Sequence, residues 1–172
     1  MKSVHVGRNC NFYGLPYVFR YYNSTIRIGD ACVFRSDRTS NLIGVNGKCI
    51  LATQGEGAMI QIGNSCGFSG VRIGAAQSIT LGDNVFCGAN VVITDFDWHA
   101  LDPRARAAGE VPQPLPVHVA DNVWLGLDVV VLKGVSIGRN TVIGARSLVV
   151  TDIPANVIAG GNPCKVIRPL ST

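Results

Sequence analysis

Charge is scarce in this chain: only 15% of its 172 residues are Asp, Glu, Lys or Arg, against 47% hydrophobic residues. The formal charge of +4 comes from Lys and Arg that are scattered rather than blocked, so the sequence carries no electrostatic footprint for nucleic acid. No apolar run approaches the roughly 18 residues that a membrane-spanning helix needs. The inward-facing pattern described below starts at Val4, leaving no room for a leader peptide, and the expectation is a cytoplasmic protein. CxxC pairs are missing although there are six cysteines, which argues against a paired metal or redox motif. Histidine is rarer still, with three: His5, His99 and His118.

What the chain does have is a rhythm. Drawn out as one strand, residues 117 to 153 would run roughly 120 Å at about 3.3 Å per residue, far beyond the radius of gyration of roughly 16 Å expected for a compact chain of this length. The segment therefore turns repeatedly, and setting it out in sixes shows where. Val119, Leu125, Val131, Ile137, Ile143 and Val149 share one slot; Val123, Val129, Val135, Thr141, Ser147 and Ile153 share a second, two residues earlier. Between them fall Asp121-Asn122, Leu127-Asp128, Lys133-Gly134, Arg139-Asn140, Ala145-Arg146 and Thr151-Asp152, mostly residues that tolerate corners. Period two within a unit and period six between units predict an all-β parallel helix of hexapeptide repeats, three sixes to a triangular coil, coils about 4.8 Å apart. Upstream the same slots recur in Ile79, Leu81, Val85, Cys87, Val91 and Ile93, and less regularly around Cys10, Cys32 and Cys66, which read as small core fillers. An antiparallel sandwich also alternates, but places turn signals every 8 to 12 residues or so instead of holding an in-phase six.

On such a rod, function belongs where the repeat breaks, because loops alone are free of core and corner duty. The sharpest break is the extruded loop of about residues 95–116, following Ile93; it holds Pro103, Pro112, Pro114, Pro116 and His99. His5 and His118 each sit between inward valines and so face solvent. His99 is flanked by Asp95, Asp97 and Asp102, carboxylates able to orient an imidazole and raise its basicity. Asp97 joins His99 as a candidate catalytic residue, while which of the three acids orients the ring stays open. The whole chain, 1–172, is expected to form one domain closed by a short C-terminal cap over about 154–172.

The runs LGDNVFCGANVVITDFDWHALDPRAR and VADNVWLGLDVVVLKGVSIGRNTVIGARSLVVTDIPANVIAGGNPCKVIRPL resemble the hexapeptide-repeat acyltransferases, especially the maltose, galactoside and polysaccharide O-acetyltransferase branch, over about residues 60 to 170. The resemblance implies a left-handed parallel β-helix, a homotrimer with sites between subunits, acetyl-CoA as acyl donor and no metal. It makes His99 the general base, and it puts an oxyanion donor about thirty residues earlier, near Ser69, where the sugar acetyltransferases carry asparagine. Coenzyme A contacts fall by motif on Trp124, Gly126, Leu127, Ala145, Val150 and Thr151, with Lys165 and Arg168 suited to phosphates. A saccharide hydroxyl is the preferred acceptor; an aminosugar acceptor, with N-acetylation, and a non-catalytic structural trimer are the alternatives. A zinc hydratase on the same rod needs three converging histidines, which this spacing does not offer. Half of the twelve aromatics crowd into residues 12–22, either covering the open first coil or lining the acceptor site, with the cap favoured.

Overall fold

A computed structural model of the chain describes residues 4–170. Three parallel sheets of six, eight and six strands run the length of a three-sided rod. Each full coil contributes one strand to each of faces A, B and C, in that order. The coils are β1 (Val4–Val6), β2 (Asn11–Tyr13) and β3 (Tyr17–Phe19); β4 (Thr25–Ile28), β5 (Val33–Arg35) and β6 (Ile50–Thr53); β7 (Met59–Ile62), β8 (Gly67–Ser69) and β9 (Arg72–Ala75). They continue with β10 (Ser78–Leu81), β11 (Phe86–Ala89) and β12 (Val92–Thr94); β13 (Val117–Val119), β14 (Trp124–Leu125) and β15 (Val130–Val131); and β16 (Ser136–Ile137), β17 (Val142–Ile143) and β18 (Leu148–Val149). A last parallel strand, β19 (Val157–Gly161), adds to face B and pairs antiparallel with β20 (Cys164–Pro169).

All twelve residues assigned to the two slots between Val119 and Ile153 are buried, including Thr141 and Ser147. Both hydroxyls survive inside because each finds a carbonyl: Thr141 Oγ1 donates to Pro154 O at 2.9 Å and Ser147 Oγ to Gly144 O at 2.6 Å. Three of the interior thiols form a column in the same way, Cys10, Cys32 and Cys66 each donating to the carbonyl of a glycine one coil on, at 3.2 Å. Phe34 stacks between Phe12 and Phe68, ring centroids 5.3 and 4.8 Å away.

Corners explain the even spacing of small and polar residues. At the A-to-B corner the backbone turns through left-handed conformations at Asn9, Ala31, Ser65, Asn84, Asn122, Asn140 and Asn156, a region that asparagine tolerates better than most residues. Next to these, carboxylate or amide oxygens of Asp30, Asn64, Asp83 and Asp121 accept the backbone N–H of the equivalent residue one coil back, at 2.6–2.8 Å. The side chains thus close backbone donors that the turn leaves without a ladder partner.

The N-terminal aromatics do not cover the first coil. Val4, Val6, Phe12 and Val18 point inward yet remain exposed, since they belong to the first coil among the described residues, while Tyr17 and Phe19 stand outward on face C. Alternation decides this: in a three-residue strand such as Tyr17-Val18-Phe19 only the middle side chain can face the axis.

Candidate active site

His99 lies where the chain leaves the C-to-A edge between β12 and β13. The neck of this loop is tied by Asp95, whose carboxylate has no exposed surface and accepts three backbone N–H bonds from the preceding coil, Ala76 at 2.7 Å, Gln77 at 2.8 Å and Ser78 at 2.6 Å. Leu115 N closes the exit by donating to Asp95 O at 2.8 Å. Farther out, Asp102 caps a five-residue helix, α1 (Pro103–Ala107), accepting from Arg104 N and Ala105 N at 3.0 and 2.9 Å. Asp97 accepts from Lys133 Nζ at 2.6 Å, both side chains about three-quarters buried.

Each acid beside His99 in sequence therefore serves another partner, and among the described residues none hydrogen-bonds to the imidazole. Which acid orients the ring is therefore not decided within one chain; the Asp97 carboxylate holds the loop against the β15–β16 corner through Lys133. Adjacency in sequence was the only basis for the pairing, and residues 97–99 lie in irregular backbone beyond the end of β12, where closeness in sequence does not fix which side chains face each other.

The His99 side chain is exposed and lines a cleft of about 370 Å³ between the rod's edge at Gln54 and Ala76 and the loop's Trp98, Arg106 and Glu110. Trp98 packs on Phe96, centroids 4.6 Å apart, and lies over face C beside Gly74. An imidazole with free lone pair or proton, an aromatic wall and a polar rim can accept a hydroxyl proton from a bound polyol.

Ser69 is elsewhere. It ends β8 on face B, 7% exposed, and lines a second cleft of about 430 Å³ together with Gly67, Phe86, Gly88 and Trp124. Trp124 and Phe86, partners in adjacent strands, both project outward and are more than half exposed. Gly126 and Leu127 follow at the B-to-C corner, and Ala145 occupies the same corner one coil on. A Cβ on Gly126 would sit 2.7 Å from Ala145 N, so only glycine lets these corners stack this closely. Val150 and Thr151, by contrast, are exposed on the C-to-A edge, the edge that carries His99. Lys165 and Arg168 are exposed on β20 at the end of face B. The expected site residues thus fall into two groups on opposite edges of face C, and one chain does not bring them together.

Sequence reasoning missed a second loop, residues 36–49 between β5 and β6. Its Asn41 donates from Nδ2 to Ser69 Oγ at 3.0 Å. The signal was there: from Phe34 to Ile50 the six-residue frame lapses across DRTSNLIGVNGK, a run rich in turn formers.

Fold and clefts define a hexapeptide β-helix with a histidine-bearing loop. Consistent with this, the family described as "Hexapeptide repeat of succinyl-transferase" matches residues 116–151. Galactoside O-acetyltransferase of Escherichia coli is 44% identical over 94 residues, 55% of this chain and 45% of the relative. Among solved structures, a galactoside acetyltransferase in complex with coenzyme A superposes with a TM-score of 0.64 at 29% identity, covering 96% of this chain and 65% of that one. A hexapeptide-repeat acetyltransferase of Vibrio cholerae, complexed with acetyl coenzyme A, gives 0.64 at 25% identity, covering 98% and 72%. The chain spans about half the length of the curated relatives it matches. The chain has the left-handed parallel β-helix fold of hexapeptide repeats, and it is similar to galactoside and maltose O-acetyltransferases.

Proposed function

We propose that this protein is a homotrimeric, acetyl-CoA-dependent O-acetyltransferase that acetylates a saccharide hydroxyl, with each site built where the C-to-A edge of one chain meets the B-to-C edge of the next. The observation that carries the proposal is face C. Its outward positions are mostly apolar, with Tyr17, Phe19, Ile50, Ala52, Val92, Val130, Leu132, Leu148 and Val150; Arg72 and Thr94 are the polar residues among them. Face A carries His5, Arg27, Gln61, Thr80, His118 and Ser136 in the equivalent outward slots. An apolar face on a soluble rod calls for a partner, and three-fold packing of flat faces turns two half-sites per chain into three complete sites.

In this scheme His99 accepts the proton of the acceptor hydroxyl as its oxygen bonds to the thioester carbonyl carbon. Collapse of the tetrahedral adduct breaks the C–S bond; the thiolate leaves, takes up the proton, and the acetyl ester remains on the sugar. Ser69 donates to the developing oxyanion. Trp124, Gly126, Leu127 and Ala145 flank the pantetheine arm from one chain, Val150 and Thr151 from its neighbour, and Lys165 and Arg168 take the phosphates. Asp97 holds the loop through Lys133 and is a positioning residue. Two similar solved structures, one in complex with coenzyme A and one with acetyl coenzyme A, support the donor. A cytoplasmic location goes with this reading and suits six cysteines that are all free thiols.

The test combines labelled acetyl-CoA with a panel of methyl glycosides and aminosugars, following thiol release and locating the label by mass spectrometry. An acetyl ester on a hydroxyl, with turnover reduced at least about 10²-fold in His99→Ala, is the expected result. Full activity in that variant would remove His99 from the chemistry. Label on an amine would move the enzyme to N-acetylation, and absence of both donor binding and transfer would leave a structural trimer.

A further inference from the structure

The hydrogen bond between Asn41 and Ser69 gives the loop 36–49 a part in the proposed chemistry. The loop is held to the rod without that bond. Cys49 N donates to Ser36 Oγ at 3.2 Å across its neck, Arg35 Nη1 donates to Ser40 O, Val45 is buried next to Gly70, and Asn46 N donates to Asn90 Oδ1 at 2.8 Å. Asn41 is free for another task, and its amide is oriented: Oδ1 accepts Ile43 N at 3.0 Å, which turns Nδ2 toward Ser69. The loop, whose Leu42 and Ile43 are exposed, thus has a reason to be ordered at Asn41.

A hydroxyl has one proton and two lone pairs. Asn41 fills one lone pair of Ser69 Oγ, so the proton must point elsewhere. Among the described residues no hydrogen bond uses the Ser69 hydroxyl as donor, although Ser69 is more than nine-tenths buried. A buried donor left without a partner is costly, and Ser69 borders an open space, the cleft it lines with Gly88 and Trp124.

We infer that Asn41 is a positioning residue: by donating to Ser69 Oγ it aims the Ser69 proton into the cleft, where that hydroxyl donates to the thioester oxygen as negative charge builds on it. The inference rests on the acetyl-transfer reading above. It also explains how a serine serves at this position: the hydroxyl, shorter than an amide, is directed by an amide brought in from 28 residues away.

The experiment uses the full chain and acetyl-CoA, scoring both transfer to a methyl galactoside and the slow hydrolysis by water, which passes through the same oxyanion and needs no identified acceptor. Expected for Asn41→Ala is a loss of kcat of about tenfold or more, with KM for acetyl-CoA within about twofold, smaller than the 10²- to 10³-fold loss from deleting an oxyanion donor outright in Ser69→Ala. Asn41→Asp should be worse than Asn41→Ala, because the new carboxylate accepts the Ser69 proton and turns it out of the cleft. Asn41→Ala added to Ser69→Ala should cost nothing further, and Ser69→Asn should restore turnover to Asn41→Ala. Unchanged kcat in Asn41→Ala, additive losses in the double variant, or failure of Ser69→Asn to rescue overturns the inference while leaving acetyl transfer intact. A wild-type chain that neither binds nor turns over acetyl-CoA defeats the acetyl-transfer reading, and this one with it.

Discussion

Asp95 shows at the scale of one residue how position in the chain and position in space come apart. Beside His99 in sequence it looks like a catalytic partner; in the structure its buried carboxylate accepts three N–H bonds at 2.6–2.8 Å and ties the loop to the rod. Asp95→Asn keeps the shape but removes the charge and one acceptor oxygen, leaving a buried N–H without a partner. A loss of about 3 kcal/mol is expected in urea unfolding, with proteolysis inside residues 95–116 appearing before global unfolding. Stability within about 0.5 kcal/mol of wild type would mean that the loop is held by other contacts. His99 itself was legible in sequence because a lone histidine in a break of the repeat has few structural duties. Its surroundings were not, because which carboxylate faces which donor depends on backbone direction at each step of an irregular loop.

Elements here are short strands joined by corners, and the corners do as much as the strands to set the coil. Asn122, Asn140 and Asn156 form an amide ladder up one edge, Nδ2 to Oδ1 at 3.1 and 2.9 Å, with the backbone of all three left-handed. Two contributions can be separated. Asn140→Gly permits the left-handed backbone and loses the ladder bonds, for an expected destabilisation of about 1 kcal/mol; Asn140→Ala adds a backbone penalty of about 1 kcal/mol more. Equal stabilities of the two variants in chemical denaturation would remove the backbone part of this account. The period-six slots behind these corners were readable from residue 79 onward, where the 95–116 loop is the one large break in the count. Before that, the 36–49 loop interrupts the count between faces B and C, and no local pattern states that its amide will land on Ser69 one coil away.

For the whole molecule, apolar face C and the interior thiols lead to separate predictions. Val130 projects outward from β15, the second strand from the β18 end of face C; Val130→Lys should convert a trimer to a monomer in light scattering while leaving the β-rich circular dichroism unchanged. A mass that is already monomeric in the wild type would refute subunit-shared sites. Inside the rod, burial pushes the Cys49 and Cys87 thiols above their ordinary value of 9.0. The folded state therefore keeps protons that the unfolded chain releases. Their contribution is fully present below about pH 9 and is lost as pH rises, at up to about 1.4 kcal/mol per pH unit for each thiol. Stability measured by denaturation should fall above pH 9, and fall less steeply in a Cys49→Ala, Cys87→Ala variant, even though cavities lower its starting value.

The repeat of six, by itself, was enough to determine the rod, its inward residues and the places of its corners, because each of these depends only on residues a few places apart. Its break singled out His99, while the two groups of candidate cofactor contacts came from the motifs of the family that the chain resembles. Only the tertiary structure decided that those groups lie on opposite edges of an apolar face, that Asp95, Asp97 and Asp102 are engaged away from the imidazole, and that Asn41 reaches Ser69. Such pairings span distances in sequence set by loops, where direction changes at every residue and no period carries the information forward.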